Sequence, residues 1–400
     1  MTFINRPRYM NKLRPFVNKK IIKVLSGVRR SGKSTLLLML QEDLLKEDVN
    51  VIAYNFDVFD HRDLRETEQL YNDIQSKIIP EKMNYIFLDE IQWVDHFEEI
   101  INSLYLMDNV DLYVTGSNAY FLSGEFATIL SGRYVEIKVQ PLSFKEFYDG
   151  RQALGTSLND DELFNRYLQT SFPFVYADDD PEVLLTFLDG IYNTIVVKDI
   201  GTRLNSTDIV LTERIIKAIV ASVGSPVSIN SLSKVVKNDW KYVDNKKVGQ
   251  YLEAISEALL LYRVERYDLD GKRYINSRDK YYLVDTGLNS LITGDKKPNL
   301  GHMIENIVFL ELQSRGYKVY VGQTKQYEID FVAQKSSGEK MYIQVSLDTL
   351  APETHEREFR PLLMIDDNYP KLVLTLDTIQ GEENIDGVVK TNLIKWLLDI

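Results

Sequence analysis

The sequence predicts an α/β fold, with a parallel sheet between helices in the N-terminal part and a smaller α/β segment near the C-terminal end. Short apolar runs alternate with helical segments through the first 140 residues, as expected for strands joined by helical crossovers. A loop with two glycines separates the first apolar run from the first long helix, and such loops lie at the carboxyl edge of parallel sheets. Right-handed crossovers then place helices on both faces of the sheet.

Five apolar runs are the candidate strands of this sheet. Their near-continuous Ile, Val, Leu, Phe and Tyr content is typical of strands that are buried on both faces. The runs span residues 21–26, 51–56, 85–89, 112–115 and 134–139. Because ligands bind outside the carboxyl ends of parallel strands, the polar residues that follow these runs are the candidate functional residues.

Residues 27–34 read Gly-Val-Arg-Arg-Ser-Gly-Lys-Ser, which is the G-x-x-x-x-G-K-S pattern of a P-loop between a predicted strand and a predicted helix. Main-chain N–H groups of such a loop surround phosphates, and the start of the helix adds positive charge. Lys33 is predicted to reach the β and γ oxygens and Ser34 to ligate Mg²⁺. The predicted nucleotide-binding residues are Gly27, Arg30 through its amide, Ser31, Gly32, Lys33, Ser34 and Thr35. The pattern therefore predicts binding of a nucleoside triphosphate with Mg²⁺.

An acidic pair follows the third apolar run. Asp89 is predicted to bind Mg²⁺ through water beside Ser34. Glu90 lies one residue further on, where a carboxylate polarises the water that attacks the γ-phosphate. Acids are also common in ordinary loops, and the catalytic interpretation depends on the P-loop that precedes this pair.

Two further residues are predicted to take part in catalysis. Asn118, with Ser117 as an alternative, follows the fourth run and would hydrogen-bond the γ-phosphate or hold the attacking water; otherwise it caps the next helix. Arg133 precedes the fifth run and would stabilise transition-state charge from a subunit boundary. A structural ion pair is the alternative role for Arg133.

Residues 1 to about 150 resemble an AAA+ ATPase of the additional-strand P-loop class. The whole chain resembles a bacterial and archaeal family that joins such an ATPase to a C-terminal domain of unassigned function. The motifs that carry this resemblance lie at residues 27–34, 87–92, 115–118, 141–147, 198–199, 280–287 and 301–306. The resemblance implies ATP hydrolysis to ADP and phosphate. Many AAA+ relatives form rings, so a homo-oligomer is one expectation.

Four domains are predicted along the chain: an ATPase core at 1–150, a helical lid at 151–205, a winged helix-turn-helix at 206–295 and a restriction-endonuclease-like domain at 296–400. Three helices followed by a two-stranded hairpin predict the winged helix. Its bases suit contacts with DNA phosphates, whereas a rigid spacer is the alternative. These bases are Lys234, Lys237, Lys241, Lys246 and Lys247 around the recognition helix, and Arg263, Arg266, Lys272 and Arg273 on the wing.

The C-terminal segment contains the remnant of a possible nuclease site. Nucleases of the restriction-endonuclease-like fold hold Mg²⁺ with Asp and Glu and use a Lys beside the attacking water. Glu305, Asp330 and Gln344 lie in the corresponding order, but Gln344 replaces an acid and Ser346 replaces the Lys. A neutral amide is a weaker ligand for Mg²⁺ than a carboxylate. The segment is therefore predicted to have lost cleavage and to serve in binding.

Composition excludes several classes of protein. The 400 residues include no cysteine and four histidines, which excludes disulfides and thiolate-bound metal. No apolar run is long enough for a membrane span, and the start of the chain lacks a secretory signal, so a cytoplasmic location is expected. The net charge is −12, although the first 41 residues contain bases and no acid. That basic segment is interpreted as a solvated helix that pairs with acids, the alternative being contact with phosphates.

Three functions remain open from the sequence. The first is an ATP-dependent regulator or remodeller that acts on DNA or on a DNA-bound partner. The second is a signalling ATPase whose C-terminal domains bind a protein partner. The third, an ATP-gated nuclease, is disfavoured by Gln344 and Ser346.

Overall fold

The computed structural model describes residues 4–116, 130, 132–204, 208–237, 243–271, 273–378 and 383–400. The chain forms two compact units. The first comprises Met1–Pro141 with Glu257–Leu259, and the second comprises Leu142–Ser256 with Leu260–Ile400. The division between the units falls near the predicted end of the ATPase core, and the four predicted domain ranges stay predictions.

The first unit is built on a parallel sheet of five strands. The strands are β1 (Ile22–Ser26), β2 (Asn50–Asn55), β3 (Asn84–Asp89), β4 (Val110–Thr115) and β5 (Tyr134–Lys138). Their order across the sheet is β2-β3-β4-β1-β5, and every neighbouring pair is parallel. The parallel sheet predicted from the sequence is therefore confirmed, with strand ends within one or two residues of those predicted.

Helices cover both faces of this sheet. They are α1 (Pro7–Leu13), α2 (Lys33–Leu44), α3 (Thr67–Lys77) and α4 (Phe97–Tyr105). Alternate residues of one strand enter different cores: Ile86 and Leu88 of β3 pack with residues of α3 and α4, whereas Tyr85 and Phe87 pack with residues of α1 and α2. Burial on both faces explains why the strands have continuous apolar sequences.

The second unit contains a series of helices before, between and after its strands. They are α5 (Phe144–Ala153), α6 (Asp160–Tyr167), α7 (Pro181–Thr194), α8 (Gly201–Leu204), α9 (Ile209–Val220), α10 (Ile229–Lys237), α11 (Asn245–Glu257), α12 (Gly287–Thr293), α13 (Leu300–Ser314), α14 (Pro352–Leu363) and α15 (Leu393–Leu398). A π-helical segment, Ile195–Ile200, joins α7 to α8. None of the helices in the described ranges is long and apolar enough to cross a membrane.

A mixed sheet of eight strands organises the second unit. Its strands are β6 (Leu261–Asp268), β7 (Arg273–Leu283), β8 (Lys318–Gln323), β9 (Glu328–Gln334), β10 (Lys340–Ser346), β11 (Lys371–Thr375), β12 (Glu383–Ile385) and β13 (Val388–Asn392). Their order is β12-β13-β11-β10-β9-β8-β6-β7. The sheet extends across the boundary predicted at residue 295, so both predicted C-terminal domains contribute strands to it.

The predicted hairpin is present, and it forms part of the eight-stranded sheet. β6 and β7 are antiparallel, and three helices, α9 to α11, precede them as predicted. β6 also pairs in parallel with β8, in the register Arg266 to Val321 through Asp268 to Gln323. The order of helices and strands is that of a winged helix. Because the hairpin is part of a larger sheet, the assignment of a winged-helix domain stays a prediction.

Candidate nucleotide-binding site

The loop between β1 and α2 is held in a shape that few side chains permit. Gly27, Arg30 and Gly32 have φ angles of 150°, 65° and 95°. A Cβ atom on Gly27 would lie 2.2 Å from the carbonyl oxygen of Val139 and 3.1 Å from Oγ of Ser31. Glycine is therefore required at position 27, because the main chain of another segment approaches too closely for a side chain.

The loop ends in a helix start that has no side-chain cap. Gly32 is the N-cap residue of α2, and it has no side chain that could accept from the first-turn N–H groups. Oγ of Ser31 is buried and has no hydrogen-bond partner among the residues that the structure describes. An uncapped helix start beside a buried, unsatisfied hydroxyl is the environment in which an anion such as a phosphate is stabilised.

The side chain of Lys33 lies along the inside of the loop. Its Nζ donates to the carbonyl oxygens of Gly27 at 3.1 Å and Val28 at 3.3 Å, and lies 4.0 Å from a carboxylate oxygen of Glu90. Lys33 is buried. A buried ammonium at the start of a helix places positive charge where the predicted β and γ oxygens would lie.

Asp89, at the end of β3, is a buried carboxylate with several donors around it. Nδ2 of Asn55 donates to Oδ2 at 2.8 Å, and the hydroxyl of Thr115 donates to Oδ1. Burial raises the pKa of Asp89, whereas side-chain hydrogen bonds with Thr115 and Ser34 lower it in part. The structure thus brings together Ser34 and Asp89, whose hydroxyl and carboxylate oxygens are ligands of the kind that Mg²⁺ prefers.

Glu90 has a strained main chain and a side chain directed toward Lys33. Its φ angle of 57° places it in the left-handed region, which costs a residue other than glycine about 1–3 kcal/mol. The amide of Glu90 donates to the hydroxyl of Thr115 at 3.0 Å, and Nε2 of Gln92 donates to its carboxylate. Strain of this kind at a carboxylate beside a phosphate-binding loop points to a functional role.

Three residues of this site had not been predicted individually. Thr115 links Asp89 to Glu90, Asn55 contacts Asp89 and Gln92 contacts Glu90. Asn55 and Thr115 end strands that neighbour β3, so their position at the carboxyl edge was the available signal. Ser117 and Asn118 lie outside the described residues, and their predicted role stays a prediction.

Arg133 lies at the opposite edge of the same sheet. It precedes β5, and its main-chain carbonyl accepts from Ile22 at the start of β1. Its guanidinium donates to the side chain of Asn102 and lies over the ring of Tyr105, 5.6 Å from the centroid. Within one chain, the length of the strands therefore separates Arg133 from the P-loop, and its predicted catalytic role stays a prediction.

The residues of the predicted nuclease remnant also come together, within the second unit. Oε1 of Gln344 accepts from the amide of Asp330 at 2.7 Å. Nζ of Lys280 lies 2.8 Å from Glu305, 3.0 Å from Glu328 and 3.6 Å from Asp330. No group of three or more His, Cys, Asp or Glu in the described ranges is arranged to hold a metal ion.

The carboxylate of Glu305 is strongly perturbed in this cluster. Burial raises its pKa to about 7, and the charge of Asp330 contributes in the same direction. Lys280 and the hydroxyl of Tyr282, which donates to Glu305 at 2.6 Å, oppose the shift. Residues 280–287 form one of the motifs of the family resemblance, but the sequence assigned no role to Lys280 or Tyr282.

The predicted DNA-contacting bases differ in their surroundings. On the wing, Arg263 pairs with Asp279 at 2.6 Å and Arg266 pairs with Glu328. Lys234 of α10 and Lys246 of α11 have exposed side chains. Lys241 and Lys272 lie outside the described residues.

The sheet order, the P-loop and the acidic pair define the first unit as a P-loop ATPase fold. Residues 19–148 match the family of AAA domains, and residues 160–299 match a domain of unknown function, DUF8612. The Walker-type ATPase paby2304 of Pyrococcus abyssi has a similar structure, with a TM-score of 0.52 and 14% identity over 72% of this chain and 96% of that chain. At this level of identity the similarity concerns the fold.

Two relatives match nearly the whole sequence. An uncharacterized protein of Haemophilus influenzae is 38% identical over 400 residues, which cover 99% of this chain and 98% of the relative. The uncharacterized protein MJ1544 of Methanocaldococcus jannaschii is 27% identical over 403 residues, which cover 94% and 88%. The chain belongs to the same family as the Haemophilus protein, and its N-terminal part is an AAA domain.

Proposed function

We propose that this protein binds ATP with Mg²⁺ and hydrolyses it slowly to ADP and phosphate, as a conformational switch. The observation that carries the proposal is the convergence of Lys33, the Ser34–Asp89 pair and the strained Glu90 at the carboxyl edge of β1 and β3. The proposed anion site, the candidate ligand pair for Mg²⁺ and the proposed carboxylate base support phosphoryl transfer to water.

Each residue has a defined part in the proposed reaction. The loop amides and Lys33 hold the β- and γ-phosphates. When bound, Mg²⁺ neutralises charge on the phosphate oxygens, and Ser34 and Asp89 are the residues that would hold it. Glu90 orients a water molecule and accepts its proton while the water oxygen attacks the γ-phosphorus. The bond to the bridging oxygen breaks, and ADP retains that oxygen.

Two substitutions test this assignment. Lys33→Ala should remove most of the affinity for ATP, because the phosphates lose their buried cation. Glu90→Gln should keep binding and lower turnover by about 10²–10⁴-fold, because the amide cannot accept the proton. Calorimetry with Mg·ATP measures binding, and phosphate release measures turnover. Glu99→Gln, on the exposed face of α4, is the matched control. Unchanged hydrolysis in Glu90→Gln would contradict the assignment of the base.

We also propose that nucleotide state regulates contact with DNA or with a DNA-bound partner. The support is local: Lys234 and Lys246 are exposed on α10 and α11, the helices predicted to approach the phosphate backbone. The expected result is salt-sensitive binding of a labelled duplex that changes with Mg·ATP. Lys246→Glu should weaken binding, and the exposed Lys395→Glu should leave it unchanged. A chain that binds no duplex at low salt would exclude this role.

A protein partner is the alternative in the same proposal. The Glu90→Gln variant should bind ATP without hydrolysing it and so stay in the ATP-bound state. It should therefore retain a partner that binds only the ATP-bound protein. Recovery of a partner without nucleic acid would favour signalling over DNA regulation. If the Glu90→Gln variant recovers no protein partner but still binds a DNA duplex, the role in DNA regulation would be favoured.

Arg133 belongs to a proposed assembly of several copies. Its position at the far edge of its own sheet means that it could reach a nucleotide only in a neighbouring chain. Sizing the protein with and without Mg·ATP tests this, since an ATP-dependent oligomer is expected. Arg133→Ala should then lower hydrolysis only under conditions in which the oligomer forms. A monomer that hydrolyses ATP at full rate would rule out this role for Arg133.

A further inference from the structure

The second unit contains one buried lysine at the meeting point of three acidic side chains. Lys280 lies on β7, and its side chain is 3% exposed. Glu305 comes from α13, whereas Glu328 and Asp330 come from β9. Oxygens of all three carboxylates lie 2.8–3.6 Å from Nζ of Lys280. Elements that are distant in sequence therefore direct their negative charges at a single ammonium group.

The resemblance to a nuclease fold implies a divalent cation at this place, and the residues do not fit one. Mg²⁺ and Mn²⁺ need oxygen ligands in direct contact around an open position. Here the ammonium of Lys280 lies between the carboxylates that would be those ligands. Oδ2 of Asp330 accepts from the amide of Val345 at 2.9 Å, so only its other oxygen faces the centre of the cluster.

The remaining candidate ligand is also engaged. The side-chain carbonyl of Gln344 accepts from the main-chain amide of Asp330, and its Nε2 donates to Glu358 at 3.1 Å. Gln344 thus connects β9, β10 and α14, and both ends of its amide are engaged outside the three carboxylates around Lys280. The substitution of an acid by Gln, which the sequence already indicated, removes a ligand and adds a structural link.

Two cationic side chains offset part of the charge of the three carboxylates in the cluster. Arg266 pairs with Glu328, so Lys280 and Arg266 together supply two positive charges to three carboxylates. Carboxylates buried without such compensation would strongly destabilise the folded state. Lys280 and Arg266 provide this compensation from within the chain.

We propose that the ammonium of Lys280 occupies the place that the resemblance to nucleases assigns to a divalent cation, so that the second unit is stable without metal. Lys280 reaches the centre from β7, a strand of the hairpin, and not from the strand on which nucleases of this fold carry their lysine. On this proposal, the cluster around Lys280 is a structural element of the second unit.

A metal titration of the native chain tests the proposal directly. Without nucleotide, we expect no Mn²⁺ binding that requires Asp330, and no rise in the Tm of the second unit on addition of Mn²⁺. Supercoiled plasmid should stay intact in the presence of the protein and Mn²⁺. Asp330→Asn is the comparison variant in the binding assay. Mn²⁺ binding that disappears in Asp330→Asn, or plasmid cleavage that disappears in it, would overturn the proposal.

Substitution of Lys280 gives the second arm of the test. Lys280→Met should be less stable without metal, because three carboxylates lose their shared cation, and Mn²⁺ should bind it and restore the Tm. Lys280→Arg keeps the charge and should stay insensitive to Mn²⁺. A folded Lys280→Met that gains no Mn²⁺ binding would contradict the replacement. If Lys280→Met does not fold, the native titration and Lys280→Arg decide the question.

Discussion

The guanidinium of Arg6 donates a hydrogen bond of 2.7 Å to the main-chain carbonyl of Ser31, in the middle of the P-loop. It also donates to the carbonyls of Gln140 at 2.9 Å and Pro141 at 3.1 Å, and it lies over the ring of Tyr9. Arg6 is 2% exposed. The basic N-terminal segment, interpreted from sequence as a solvated helix, therefore contributes one buried side chain that supports the loop from behind.

Replacement of Arg6 should weaken nucleotide binding indirectly, through the shape of the P-loop. Arg6→Met leaves main-chain carbonyls buried without their donor, and a lost hydrogen bond to a charged group costs about 1.5–3 kcal/mol. Part of that cost should appear as a roughly tenfold higher Kd for ATP, by calorimetry. Lys19→Met removes an exposed charge from the same segment and should leave the Kd unchanged. Equal effects of the two variants would show that only net charge matters.

Thr115→Val should separate hydrolysis from binding. The variant loses the hydroxyl that donates to Asp89 and accepts from the amide of Glu90, so the two carboxylates lose their common support. Loss of such a positioning hydrogen bond typically lowers activity by about 10–100-fold. We expect kcat to fall in that range, with a smaller change in the Kd for ATP. Thr293→Val, in the second unit, is the control. A variant that loses binding and turnover equally would assign Thr115 to the nucleotide itself.

Gly287→Ala should destabilise the second unit. A Cβ atom at position 287 would lie 1.8 Å from the carbonyl oxygen of Gln169, so one of the two main-chain segments must shift. Overpacking of this kind costs about 1–3 kcal/mol. Gly190→Ala, where no described residue lies within 4 Å of the new atom, should instead be neutral or stabilising. Thermal unfolding of both variants measures the difference, and equal Tm values would contradict the close contact.

The stability of the second unit should depend on pH through Glu305. Its pKa is raised to about 7 in the folded chain, so the folded state binds a proton more tightly than the unfolded state. The resulting stabilisation is complete below the unfolded pKa of about 4.5 and is lost as pH rises through 7.

Glu305→Gln removes this titration. Between pH 5 and 8 the native Tm should fall more steeply than that of the variant, by the equivalent of about 1–3 kcal/mol. The exposed Glu353→Gln should follow the native profile. Parallel profiles for the native chain and Glu305→Gln would show that Lys280 keeps Glu305 ionised throughout this range.

The sequence predicted the first unit well because its signals are local. Each of its strands is a continuous apolar run, and the P-loop is a contiguous pattern between a strand and a helix. Thr115 could have been identified from its place at the carboxyl edge, one strand from Asp89. The role of Arg6 could not, because it depends on main-chain carbonyls more than twenty residues away.

The second unit was less predictable because its pairing is distant. The pairing of β6 with β8 joins segments more than fifty residues apart. Neither segment has a sequence pattern that predicts this pairing. The short strands β12 and β13 lie in a polar stretch and were not predicted. The sequence around Lys280 does not show that carboxylates from α13 and β9 surround its ammonium group in the folded chain.

The pairing of β6 with β8 limits how the chain can be divided for expression. A recombinant fragment that begins near residue 296 would keep β8 and lose the strand that covers its outer side. The exposed N–H and C=O groups would then be open to another molecule, and such edges promote aggregation. A soluble C-terminal fragment should therefore start before Leu261, so that the hairpin accompanies the strands it protects.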